Sequence, residues 1–286
     1  MASIREPEQA VLMVDPSCFS VDYVINPHMQ DDEGNPHVID RGAAIAGHAA
    51  LRDVYSELGY EVHVIEAQPE LPDMVFAANQ SFPFTSADGE LSVILSSMAH
   101  PERRGEVELI EAFYSELGYR VHRLAGLAPG DSFEGMGDVL WWPGRQLLVA
   151  GHGYRTSASA LTQVAEMVGA PLVSLELVDE RFYHLDMALT FLDERTALWN
   201  PQAFSESSRL CLQKLVPALL QPPETGDRIG FSCNAHAPKA GEVILAASLI
   251  STAEWLRGMG CRVHLVDLGE FHKAGGSVFC LKMMLP

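Results

Sequence analysis

Nine residues, Tyr55-Ser-Glu-Leu-Gly-Tyr-Glu-Val-His63, return as Tyr114-Ser-Glu-Leu-Gly-Tyr-Arg-Val-His122 with one change. A looser copy, one residue longer, runs from Trp255 to His264, and a fourth version begins at Val168-Gly-Ala-Pro-Leu-Val after the helix-like stretch Ala158–Met167. Each copy reads as a helix end, a glycine suited to a left-handed cap, and a strand. The caps are then Gly59, Gly118 and Gly260, and the strands Glu61–Ile65, Arg120–Leu124 and Arg262–Val266. Repetition at a fixed period restricts a chain to architectures in which like units stack on one another.

A second repeating piece accompanies each helix: a strand, a short turn and another strand. Met74–Phe82 leads to Ser92–Ser96, Ser132–Trp142 to Gln146–Ala150, Phe182–Leu192 to Thr196–Asn200, and Ile229–His236 to Glu242–Ala247. The last of these units places helices over Ser205–Leu220 before its hairpin and Leu245–Gly258 after it. Gly275–Leu285 has no downstream partner and Ala10–Val14 no upstream one, so pairing them closes a ring. Two-residue alternation interleaved with helical periodicity means α/β. Five such units predict a radial, propeller-like array forming one domain over residues 1–286, without a linker of Ser/Gly or charge-block composition.

Composition narrows the function. Of 286 residues, 38 are acidic and 19 basic, a net charge of −19 that repels nucleic acid and anionic membranes and favours a cationic small molecule. No apolar run approaches the ~20 residues of a membrane span, and the N-terminus lacks the pattern of a signal peptide. Five widely spaced cysteines without a CxxC pair suit reduced thiols in the cytoplasm. Cys18, Cys211, Cys233 and Cys261 read as packing residues, and the repeated His63, His122 and His264 as structural. Whether the chain forms a homo-oligomer is left open by the sequence.

In a radial array equivalent strand ends meet near the axis, so polar residues on the motif strands should share one pocket. Those residues are Asn79, Glu134, Asp138, His184, Asp186, Asn234 and Cys280, each among apolar neighbours. Polar groups in such settings are costly unless networked or functional. Cys280 is the candidate nucleophile and His184 the candidate proton shuttle. Asp186, two residues on in a strand, should face the same side as His184. With Glu134 it makes a carboxylate set able to grip a planar, forked cation. His184 and Asp186 could also begin a metal site, but the Asp/His density of a metallohydrolase is missing. No metal or cofactor is expected.

These motifs carry a resemblance. Asp22-Tyr-Val-Ile-Asn26-Pro, Phe76-Ala-Ala-Asn79, Phe133-Glu134-Gly-Met-Gly-Asp138, Gly153-Tyr-Arg155-Thr, Tyr183-His184-Leu-Asp186 and Gly275-Gly-Ser-Val-Phe-Cys280 span nearly the whole chain. Together they resemble the guanidino-group-modifying enzymes of the pentein fold: arginine deiminases, dimethylarginine dimethylaminohydrolases, arginine dihydrolases and amidinotransferases. The resemblance implies a fivefold α/β propeller and a cysteine hydrolase that works through a covalent thiouronium. Cys280 would attack the guanidinium carbon and His184 would move protons. Glu134 and Asp186 would hold guanidinium nitrogens, and Arg155 the substrate α-carboxylate. Asn26, Asn79, Asp138 and Asn234 complete the implied binding set. Asn79 with Asn26 looks like the arginine dihydrolase branch, which hydrolyses twice and releases ornithine. Three positions depart from the family pattern. Ser97 stands where relatives often carry an arginine, and Phe279 where a basic residue tends to precede the cysteine. Lys282 stands where a threonine tends to follow it. Without a basic neighbour Cys280 would depend on the substrate's own charge for activation. An amidinotransferase, or a non-catalytic binding protein of the same fold, is the competing reading.

Overall fold

The computed structural model describes residues 8–223 and 231–286. Among the described residues, five three-stranded sheets are built alike. The first has β1 (Ala10–Val14), helix α1 (Arg41–Glu57) and β2 (Glu61–Ile65). The second has β3 (Ser81–Thr85), β4 (Leu91–Leu95), α2 (Glu106–Glu116) and β5 (Arg120–Arg123). The third opens with the single turn α3 (Gly135–Asp138), then β6 (Val139–Trp141), β7 (Leu148–His152), α4 (Ala158–Val168) and β8 (Leu172–Glu176). The fourth has β9 (Leu189–Phe191), β10 (Thr196–Trp199), α5 (Glu206–Leu215) and β11 (Ala218–Leu220). The fifth has β12 (His236–Lys239), β13 (Glu242–Ala246), α6 (Ile250–Gly258) and β14 (Arg262–Val266). The short α7 (Gly269–His272) and β15 (Met283–Leu285) end the chain.

Within each unit the first two strands are antiparallel, and the third returns parallel to the second across the helix. The first unit draws its outer strand from the far end of the chain: β15 pairs antiparallel with β1, Ala10 opposite Leu285 and Leu12 opposite Met283. The expected closure is therefore present. The sequence echo is also a register echo, because His63, His122 and His264 lie opposite Leu12, Ile94 and Ile244 on the central strands. Their rings pack or pair locally, His264 with Glu242 and His122 against Phe84.

Helix α1 shows how local chemistry sets a unit. The Asp40 carboxylate accepts from the Ala43 N–H at 3.0 Å and starts the helix. Ala44, Gly47, His48, Leu51 and Tyr55 form the buried stripe, at the spacing of one helix face. Gly59, at φ 86°, ends the helix in the left-handed region, as do Gly118 and Gly260 at the equivalent positions.

Three expectations need correction. The segments read as motif strands are mostly tight turns, and only their last few residues join a sheet. Pro72–Val75 and Ala77–Asn79 are 3₁₀ turns before β3, and Leu185–Met187 is one before β9. Ser205–Leu220 is not one helix: α5 stops at Leu215, and Ala218–Leu220 forms β11 beside β10. The helix after the fifth hairpin begins at Ile250, since Leu245 and Ala246 belong to β13. The start of the strand placed over Ile229–His236 lies outside the described residues; within them the strand begins at His236. No helix among the described residues is long and apolar enough to cross a membrane.

Candidate active site

Each polar residue singled out on a motif segment lies in the turn that precedes the first strand of its unit. Asn79 comes before β3, Glu134 and Asp138 before β6, His184 and Asp186 before β9, Asn234 before β12, and Cys280 before β15. Five equivalent turns thus bring their side chains together. Turns rather than strands do this, so the two-residue alternation argument for His184 and Asp186 fails. His184 precedes a 3₁₀ turn that contains Asp186, and the two side chains have different partners.

The Cys280 thiol is buried. It donates to Asp186 Oδ2 at 3.2 Å and accepts from the Asn234 amide at 3.2 Å. Asn234 is fixed by the Phe279 N–H donating to its Oδ1 at 3.0 Å, so the loop that carries the cysteine also carries its own clamp. Burial raises the thiol well above its ordinary value, and the adjoining Asp186 carboxylate adds to the rise. Burial likewise brings Asp186 up to about 7, against the thiol hydrogen bond and the charge of Lys282. The resting pair therefore holds its proton on sulfur at neutral pH.

His184 Nε2 sits 2.7 Å from Glu134 Oε2, and the Asn79 amide lies 3.5 Å from Nδ1. This fits the tautomer with its proton on Nε2. Glu134 is fully buried. It also takes the Arg155 guanidinium at 3.2 Å and the Ala99 N–H at 3.1 Å. Burial alone would raise its carboxyl, but Arg155 and His184 overcome it and hold Glu134 well below the carboxylate range. Arg155 stacks on Tyr183 and donates to the Ile25 carbonyl at 2.8 Å.

Of the binding residues implied by resemblance, Asn26, Asn79 and Arg155 line a crevice with His184 and Cys280. Glu134, Asp138, Asp186 and Asn234 stand outside its lining. Asp138 spends both oxygens on protein, accepting from Thr156 Oγ1 at 2.7 Å and from the Leu185 N–H at 3.0 Å. It fixes the His184 turn. Asn26 donates to the Ala274 carbonyl at 3.1 Å and so ties the first loop to the glycine turn before the cysteine. That turn must be glycine. A Cβ on Gly276 would lie 2.2 Å from the Phe76 ring, and one on Gly275, at φ 85°, would lie 2.5 Å from the Tyr183 hydroxyl.

Two crevice residues, Tyr183 and Asp73, had no role assigned from the sequence, and Arg103 was read only as a substitute for the arginine that Ser97 replaces. Tyr183 donates to the Gly275 carbonyl at 2.7 Å. Arg103 makes a two-pronged pair with Glu106 and donates to Asn79 Oδ1 at 2.9 Å. Their i,i+3 spacing was the signal available. Asp73 sits one residue before the segment read as a strand. Its carboxyl and the nearby Tyr23 hydroxyl are buried against one another, and burial brings Asp73 up to about 7. The crevice offers about 10 Å³, roughly the room of one water. Substrate entry therefore requires side chains to move, Arg155 among them. Lys282, beyond the cysteine, is fully buried with its ammonium over the Phe279 ring, so the region is not stripped of cations by Phe279.

The sequence profile of the N,N-dimethylarginine dimethylhydrolase (eukaryotic) family matches residues 15–217. The N(G),N(G)-dimethylarginine dimethylaminohydrolase of Mycobacterium tuberculosis is 37% identical over 94% of this chain and 83% of its own. The chain belongs to the dimethylarginine dimethylhydrolase family. Another relative, the bifunctional arginine dihydrolase/ornithine cyclodeaminase ArgZ of Synechocystis, is 34% identical over 96% of this chain, which spans 37% of that protein's length. The N-terminal domain of ArgZ, crystallised with substrate, superposes with a TM-score of 0.86 at 32% identity, over 96% of this chain and 97% of the domain. The fold is thus the pentein fold of the guanidino-group-modifying superfamily, as the five repeats required. Family membership makes the protein a hydrolase of C–N bonds in amidines.

Proposed function

We propose that the protein hydrolyses the guanidino group of arginine or an Nω-methylated arginine, with Cys280 as nucleophile. The observation that supports this most is the convergence of a buried thiol, a His184–Glu134 pair and a buried Asp73 carboxyl on one crevice. A substrate guanidinium beside Cys280 and Asp186 favours the thiolate, and the thiol proton passes to His184, whose imidazolium Glu134 steadies. The thiolate attacks the guanidinium carbon and forms a C–S bond. His184 then gives that proton to the departing amine. Loss of the amine leaves an S-alkylthiouronium. Water, deprotonated by His184, adds to the same carbon, and the C–S bond breaks to return the thiol and a ureido product. The Asp73 carboxyl on the crevice wall suits the substrate α-ammonium, and Arg155, once drawn from Glu134, its α-carboxylate.

Asn79 marks the point where a second hydrolysis would differ. Its amide faces His184 and can hold a neutral urea as well as a cation. Mass spectrometry of products from L-arginine and from asymmetric dimethylarginine decides the reading. Ornithine with ammonia identifies two hydrolyses, and citrulline with dimethylamine identifies one on the methylated substrate. Turnover of neither, or transfer of the amidino group to an added amine, contradicts the proposal.

The state of the thiol gives a second expected result. In free enzyme, alkylation of Cys280 by iodoacetamide should be slow at pH 7 and rise with pH beyond 9, because burial and Asp186 both hold the proton on sulfur. A bound substrate guanidinium should move that profile to lower pH. Rates are read by peptide mass spectrometry in the presence and absence of guanidinium. A thiol already fully reactive at pH 7 without a cation contradicts this.

A further inference from the structure

A second cavity of about 240 Å³ shares no lining residue with the substrate crevice. The crevice is lined by the turns that carry the chemistry, whereas this cavity is lined by the strands that follow them. Leu140 and Trp141 come from β6, Thr190 and Phe191 from β9, His236 from β12 and Met284 from β15. Phe279 and Lys282 flank Cys280 in sequence and line the cavity wall. Lys282 has no exposed surface, yet among the described residues its ammonium touches no oxygen. Its partners are the Phe279 ring, 3.1 Å from the ring centre, and Met136 Sδ at 3.7 Å. A buried ammonium without an anionic hydrogen-bond partner is among the most costly arrangements in a protein interior.

We propose that this cavity is a binding site for a small organic monocarboxylate, which reaches the Lys282 ammonium when the Phe279 ring swings aside and rests its apolar body on Trp141, Leu140, Phe191 and Met284. The Glu8 carboxylate on the same lining already bears on Lys282, so a multiply charged phosphate is repelled more strongly than a monocarboxylate. The volume lies under the ~300 Å³ lower bound of drug-sized pockets, which limits the ligand to a compact acid. Four other titratable groups bear on the ammonium. Glu8 lies part-buried on the cavity lining, and Asp186 and Cys280 stand on the catalytic side. His236 donates to or accepts from the Tyr55 hydroxyl at 2.8 Å, and burial together with Lys282 keeps its ring neutral. Burial draws Lys282 itself down to about 7, against the pull of Glu8, Asp186 and Cys280. A bound carboxylate restores the charged form, so affinity should be highest below pH 7 and decline above it.

Calorimetric titration of the full chain with benzoate tests this, with benzamide and inorganic phosphate as comparison probes. Saturable 1:1 binding of benzoate is expected, and neither comparison probe should match it. Lys282→Met, which keeps the stem and removes the charge, should weaken binding at least tenfold. Ala237→Leu, which fills the cavity and leaves Lys282 in place, should do the same, so one misfolded variant does not decide the result. In the Cys280→Ser protein, saturating L-arginine should leave benzoate affinity unchanged within twofold. The inference is overturned by absence of saturable binding at several millimolar, by equal binding to folded Lys282→Met, by equal binding of phosphate, or by displacement of benzoate by L-arginine.

Discussion

Cys280→Ser should reduce guanidine turnover by roughly 10⁴-fold or more, equivalent to about 5.5 kcal/mol of transition-state stabilisation. The serine hydroxyl can still donate to Asp186 and accept from Asn234, the two partners the thiol uses, so the loop and the fold should persist. The chemistry should not persist. A hydroxyl in the same buried place beside Asp186 is far harder to deprotonate than a thiol, and a bound guanidinium does not close that gap. Steady-state kinetics beside a thermal unfolding curve separate the two effects. A melting temperature near that of the parent with turnover lost is the expected pair of results. Turnover retained within tenfold would remove Cys280 from the mechanism.

Glu134→Gln should cost both stability and rate, for separable reasons. Glu134 is the shared counter-charge of His184 and Arg155, and nothing about it is exposed. A neutral amide leaves the Arg155 guanidinium buried beside no opposite charge, a loss of about 3–5 kcal/mol. The imidazolium that protonates the leaving amine also loses its partner, at roughly 10²–10⁴-fold in kcat. The double variant Glu134→Gln/Arg155→Met should recover much of the stability and none of the rate. Denaturant unfolding and kcat on the four proteins of that cycle check the expectation. Recovery of rate together with stability would make Glu134 a structural residue alone.

The fold was largely legible because its units repeat at sequence level. The Tyr-Ser-Glu-Leu-Gly-Tyr echo, its glycine caps and the two unmatched chain ends specified five units and their closure. What was not legible was the conformation of the motif segments. Phe76-Ala-Ala-Asn79 is an apolar run and His184-Leu-Asp186 alternates as strands do, yet 3₁₀ turns accommodate both, because each segment must redirect the chain into the next sheet. Strand β11 escaped notice since three residues, two positions after α5, carry no periodic signal. At the site, residue types flagged the nucleophile, the histidine and the carboxylates. They did not flag Asp73, a buried carboxyl on the crevice wall, nor that Asp138 and Asn234 are consumed in holding the His184 turn and the thiol. Lys282 was legible as a departure from the family pattern, but its burial behind Phe279 is a property of packing that sequence spacing does not carry.

The central claim is that sulfur of Cys280 becomes covalently bound to the guanidinium carbon during turnover. Intact-protein and peptide mass spectrometry of a rapidly acid-quenched reaction of the parent enzyme tests it most directly. The account predicts an added mass of one substrate less one amine on the peptide that contains Cys280, absent from the Cys280→Ser variant. Product formation by the parent enzyme with no such adduct at any quench time, or an adduct on a different residue, would contradict it.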